Sequence, residues 1–160
     1  MSGNNVGRIE AISISTRKGI PKSNIAQAIL RAAHGIEGDA HAGDWHRQVS
    51  LLAIESIEKI RAKGLKVDPG AFAENITTSG LSLYTLPVGT RLVIGETVLE
   101  ITQIGKECHA RCAIYYTAGD CVMPREGVFA RVLRGGGIAV GDVCCITSKP
   151  ELAAIDGAAA

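Results

Sequence analysis

Short apolar runs, broken by polar stretches that carry glycine, fill most of the chain, and few are long enough for a helix. The clearest is Val98 to Thr102, where Leu99 and Ile101 alternate with Glu100 and Thr102 at the period of two of a half-buried strand. Val88 to Ile94 precedes it, and Gly95-Glu96 between them suits a hairpin turn. The same grammar recurs near the C-terminus. Val88-Gly89-Thr90 leading to Ile94 is echoed by Val140-Gly141-Asp142 leading to Ile146, which predicts two similar hairpins and not a repeat protein. Val49 to Leu52 reads as a further apolar strand. Helical spacing is scarcer. Ile54, Ile57 and Ile60 share a helical face, with Arg61 and Lys63 near its end and Gly64 as a stop. A second helix is predicted after Pro124, with Val128, Phe129, Val132 and Leu133 on one side and Gly135 terminating it. Ile25 to Ala33 stays open, because Ile25, Ala28, Ile29 and Ala32 have helical spacing in a segment too short for the period to decide.

Composition narrows the class. A chain of 160 residues fits one domain, here 1–148, followed by a small-residue tail, 149–160, that is expected to fray. Hydrophobic residues at 46% and charged residues at 21% are ordinary for a globular protein and exclude disorder for the bulk. A formal charge of +1 supplies no field to hold a nucleic-acid backbone, and 4% aromatic residues supply no stacking platform for bases. MSGNNVGRIE lacks the pattern of a secretory signal, and no stretch approaches the roughly 20 apolar residues of a membrane helix. The expectation is a cytoplasmic protein with no nucleic-acid or membrane partner. Five cysteines fit a reducing compartment, and an odd number cannot all pair within one chain.

The cysteines carry the candidate chemistry. In GKECHARC, Cys108 is flanked by Lys106, His109 and Arg111. A thiol at its ordinary pKa of about 8.5 is only roughly 3% thiolate at pH 7, and neighbouring cations lower that pKa by about 1–3 units. Cys108 is therefore read as a reactive thiol, whereas Cys144 and Cys145, inside an apolar strand, are read as inert. Cys108, His109, Cys112 and Cys121 also permit a zinc or iron-sulfur reading, but their spacings lack the paired short gaps such sites favour. The run GIEGDAHAGDWHRQVSLL holds Asp39, His41, Asp44, His46 and Arg47, either as metal ligands or as punctuation of a polar loop. It places Arg47 at the mouth of the strand that follows, where a guanidinium suits a phosphate or carboxylate. Glu74 and Asn75 form a polar pair in the loop between helix and hairpin. Gly135-Gly136-Gly137 lacks the lysine and hydroxyl of a phosphate loop and reads as a helix stop.

Taken in order, GIEGDAHAG, HRQVSLL, FAENITTSGL, LPVGTRLVIGETVLEIT and GKECHARC make the chain resemble the MOSC domain family, the module at the C-terminus of molybdenum cofactor sulfurases and in small stand-alone bacterial proteins. The resemblance runs from Val6 to Ile146. It implies a mainly β, compact barrel-like fold with a few helices, and a role in molybdenum cofactor metabolism. It makes Ile25 to Ala33 a strand. It also implies that Cys108 carries sulfur as a persulfide or contacts molybdenum. Cys112 and Cys121 depart from the family pattern and are open as the working thiol, as resolving thiols, as further metal contacts or as neither. His41, Arg47, Glu74 and Asn75 are expected to border the pocket for the molybdopterin. The sequence shows no pyridoxal phosphate desulfurase domain, so a separate cysteine desulfurase is the expected sulfur donor and a molybdoenzyme or cofactor-biosynthesis protein the expected recipient. The alternatives are a cofactor-binding or insertion module without turnover, a zinc-stabilised structural protein, and a redox enzyme using bound cofactor.

Overall fold

The computed structural model describes residues 5–105 and 123–147. The apolar runs become β1 (Val6–Ile14), β2 (Ser23–Ile25), β3 (Gln27–Arg31), β4 (Gly35–Ile36), β5 (Val49–Ala53), β6 (Ile76–Ser79), β7 (Arg91–Ile94) and β8 (Thr97–Ile104). After residue 122 come β9 (Val128–Arg134), β10 (Gly136–Ala139) and β11 (Val143–Thr147). Two α-helices, α1 (Ile54–Arg61) and the single-turn α2 (Met123–Glu126), complete the described elements with a 3₁₀ turn at Leu83–Thr85. Strands β11, β7, β8, β9, β5, β6 and β1 pair side by side, and β1 pairs back to β11 with Val6 opposite Cys145. That last pairing closes a barrel and removes the open edges of a flat sheet. Strand β2 lies along the far end of β1, and β10, β3 and β4 form a separate small sheet.

The barrel interior is filled from every wall. Ile9, Ile12, Leu51, Ile76, Leu92, Ile94, Leu99, Ile101, Val128 and Val132 are all buried in one cluster, joined by Leu30, Ile36 and Ile138 from the small sheet. Strand β5 runs parallel to β6 and antiparallel to β9, and the parallel pair is connected through α1, as a crossover demands. Helix α1 lays Ile57 and Ile60 against the outer face of this wall, over Leu52, Phe72, Met123 and Phe129. It ends as expected, with the Gly64 N–H donating to the Arg61 carbonyl at 2.9 Å.

Three sequence expectations change. The helix predicted over Val128 to Leu133 is strand β9, and α2 stops at Glu126. The cause is burial on both faces: Val128 and Val132 point into the barrel while Phe129 joins the outer cluster, which erases the alternation and leaves a helix-like spacing. Gly135 accordingly joins two strands rather than ending a helix, and Gly136 and Gly137 open β10. Ile25 to Ala33 forms β2 and β3, as the resemblance implied. The repeated Val-Gly grammar is real but marks two equivalent turns, because β10 and β11 pair with other strands and not with each other. In each turn the glycine N–H donates to a strand carbonyl, Gly89 to Ile101 and Gly141 to Ile9, both at 2.8 Å. The same strand residue returns its N–H to the next carbonyl, Ile101 to Thr90 and Ile9 to Asp142. Gly95-Glu96 is the predicted two-residue turn, with Ile94 opposite Thr97 and Gly95 at φ 58°.

Candidate functional site

The polar loop entering β5 folds back on the end of β1 because Asp39 organises it. Asp39 Oδ1 accepts from the Ser15 N–H at 3.1 Å and from Lys22 Nζ at 2.8 Å, and Oδ2 accepts from the His41 N–H at 3.1 Å. Both side chains of the Lys22–Asp39 pair are fully buried. Burial alone would push the Asp39 carboxyl up. The hydrogen bond and charge of Lys22, with the N–H groups of Ser15 and His41, outweigh it and hold the group below the usual carboxylate value. Lys22 Nζ also lies 3.0 Å from Ser15 Oγ and 2.9 Å from His41 Nδ1. Trp45 Nε1 donates to the His41 carbonyl at 2.8 Å, tying the next turn of the loop to the same residue.

Arg47 follows, two residues before β5. Its guanidinium lies over the rings of both Trp45 and Phe129, 4.7 Å and 5.2 Å from their centroids, while Lys18 approaches Trp45 at 4.8 Å. Among the described residues Arg47 makes these ring contacts but no hydrogen bond and no ion pair. Stacking orients a guanidinium and leaves its N–H edge available to an anion. Arg47 borders a cavity of about 70 Å³ that is also lined by His41, Ser50, Ala73, Met123 and Phe129. The volume is that of a few waters or one small anionic group. Gly105, just past the end of β8, donates its N–H to the carbonyl of Gly127, just before β9, at 2.6 Å.

Glu74 and Asn75 are fully buried behind this cavity. Glu74 Oε2 accepts from the Gly70 N–H and Thr77 Oγ1, and Oε1 from the Phe72 N–H. Burial raises the Glu74 pKa against those hydrogen bonds. Asn75 Oδ1 accepts from the Ser50 N–H at 2.9 Å and its Nδ2 donates to the Ser13 carbonyl at 3.0 Å, bridging β5 and β1 where β6 begins. The pair therefore shapes the loop carrying Ala73, and its polar atoms are occupied within the protein. Gly70 in that loop has φ 97° and packs so closely on the segment of Lys22 that a Cβ would lie 2.3 Å from the Lys22 carbonyl oxygen.

The structure thus brings His41 and Arg47 together at one cavity and places Glu74 and Asn75 behind it. His46 turns away, with Nε2 2.7 Å from Gln103 Oε1, and Asp44 is exposed. Among the described residues no three His, Cys, Asp or Glu side chains converge as metal ligands. Lys106, Cys108, His109, Arg111, Cys112 and Cys121 lie outside the described residues, as does 149–160. Cys144 is buried in β11, and burial with the neighbouring Cys145 pushes its thiol up to about 12; Cys145 is half-buried. Sequence reasoning missed Lys22, Trp45 and Phe129. The sole tryptophan two residues before Arg47 was the available signal; Lys22, between Pro21 and Ser23, reads as an ordinary turn lysine.

A family model described as the MOSC domain matches residues 37–144. No curated protein sequence matches the chain. Among solved structures, the YuaD protein from Bacillus subtilis is similar with a TM-score of 0.75 at 19% identity, over 88% of this chain and 95% of that one. YiiM from Geobacillus stearothermophilus gives a TM-score of 0.66 at 19% identity, over 89% of this chain and 75% of that one. YiiM from Escherichia coli gives 0.62 at 19% identity, over 89% and 70%. At this identity the likeness is one of fold. No helix of the described residues is long and apolar enough to cross a membrane.

Proposed function

Because the chain belongs to the MOSC domain family, which is associated with molybdenum cofactor-related functions, we propose that it carries sulfur for the molybdenum cofactor through a persulfide on Cys108. The observation that supports this reading is the Arg47 guanidinium, which lies over two aromatic rings, has no hydrogen bond or ion pair among the described residues, and belongs to a residue lining the cavity with His41. Such a group fits the phosphate of a pterin cofactor presented as substrate, and the cavity admits the anionic end and not the whole molecule.

In the loading step the Cys108 thiolate attacks the outer sulfur of a persulfide on a separate cysteine desulfurase. One S–S bond forms, the partner's S–S bond breaks, and the partner leaves as a thiolate. Lys106, His109 and Arg111 favour the thiolate form of Cys108. For release, a second thiol attacks the Cys108 sulfur and is oxidised with it to a disulfide. The outer sulfur departs as hydrosulfide for molybdenum. Cys112 and Cys121 are the candidate resolving thiols within the same segment.

Intact-mass measurement after incubation with a cysteine desulfurase and cysteine tests the reading. The wild-type chain is expected to gain one sulfur and Cys108→Ser none. A gain of the same mass by Cys108→Ser removes Cys108 from the role. The stacked arginine equally favours a second reading, cofactor binding or insertion without turnover. Molybdenum and pterin fluorescence that copurify with the protein, without any sulfur gain, would select it.

A further inference from the structure

We propose that Lys22 and Asp39 are positioning residues for His41: the buried ammonium group fixes the imidazole as its Nε2–H tautomer at the cavity that Arg47 also lines.

The argument is a count of protons. A lysine whose side chain is fully buried against Asp39 at 2.8 Å is held as an ammonium, which has three N–H donors and no acceptor. Three acceptors surround it: Asp39 Oδ1 at 2.8 Å, His41 Nδ1 at 2.9 Å and Ser15 Oγ at 3.0 Å. Ser15 Oγ directs its own proton to the Arg17 carbonyl at 2.9 Å, which leaves its lone pairs to Lys22. With all three ammonium protons directed outward, Nδ1 meets a donor and must present a lone pair. The ring proton then belongs to Nε2.

The rest of the residue is held by the same network. The His41 N–H donates to Asp39 Oδ2, and the His41 carbonyl accepts from Trp45 Nε1. Trp45 in turn stacks on Arg47. Lys22 is itself locked in place, because its N–H donates to the Gly70 carbonyl at 2.9 Å and the Gly70 backbone packs on its own carbonyl. The network thus links His41 and Arg47 of the cavity lining, one through a buried ion pair and the other through an aromatic ring. Resting on the anion reading of the cavity above, the network holds Arg47 toward an anion by way of Trp45 and His41.

Long-range ¹H–¹⁵N correlation spectra of the labelled full-length chain at neutral pH test the tautomer directly, with His41→Gln identifying the His41 signals. Expected is a pyridine-type Nδ1 and a pyrrole-type Nε2. A protonated Nδ1 in the wild-type protein overturns the proposal. The double substitution Lys22→Met with Asp39→Asn removes both charges together, so that no buried charge is left alone. It is expected to release His41 into a mixture of tautomers and to weaken binding of inorganic phosphate by about tenfold, the lower end of the effect of losing an outer partner of a ligand. An unchanged single tautomer in a folded double variant also overturns the proposal. A wild-type chain that shows the fixed tautomer but binds no phosphate supports the positioning role and removes the anion reading, so the two fail separately.

Discussion

At the scale of single residues, this protein buries charge at its candidate site and keeps it matched. Asp39→Asn leaves the Lys22 ammonium without its counter-ion in a fully buried place, and is expected to cost about 3–5 kcal/mol in urea unfolding. Adding Lys22→Met should restore most of that loss, because the remaining neutral groups need no compensation. The pH dependence follows from the direction of the shift. Asp39 lies below its ordinary value of 3.8, so its contribution is present above that pH and is lost as the pH falls through the lower folded value. The acid limb of the wild-type stability curve below pH 3.8 should therefore be steeper than that of the double variant. Cys144 behaves oppositely to a working thiol. With its pKa pushed up to about 12 in the barrel wall, it should resist iodoacetamide at pH 8 in the native protein and react only on unfolding, as peptide mass mapping would show. Its inertness was legible from its apolar neighbours. Lys22 was not, because nothing local in a lysine beside a proline tells that residues 39 and 41 will fold over it.

At the scale of elements, legibility depended on how many faces a segment buries. Strands β7 and β8 keep one side toward solvent for part of their length, and their alternation and turn were read directly. Strand β9 buries Val128, Ala130 and Val132 on one side and Phe129 on the other, so its pattern lost the period that identifies a strand. The loop into β5 was placed correctly because its glycines and the apolar run after it are both local signals. Glu74 and Asn75 were visible as a polar pair, but only the tertiary fold directs their atoms to Gly70, Phe72, Thr77, Ser50 and Ser13 rather than to the cavity. Helix α1 is the cover of the outer wall. Ile57→Ala removes a fully buried side chain between α1 and β5, and is expected to lower stability by about 2–5 kcal/mol in denaturant titration. Because Phe129 belongs to the same cluster, that variant should also loosen the stack on Arg47.

At the scale of the whole molecule, the barrel is a ring whose first and last described strands are neighbours. A chain ended after Asp142 loses β11 and with it the pairings to both β1 and β7. Such a chain is expected to show no cooperative unfolding transition by circular dichroism. The family and the barrel were readable from ordered motifs spread along the chain, since those motifs are local in sequence even though the closure they build is not. Closure has a consequence for synthesis. During translation, β1 emerges before β11 and waits for residues 143–147, so every strand between them must be made before the ring can join. Until then both β1 and β7 offer bare strand edges to other nascent chains, and a ribosome stalled before that point would present a sticky, protease-sensitive product.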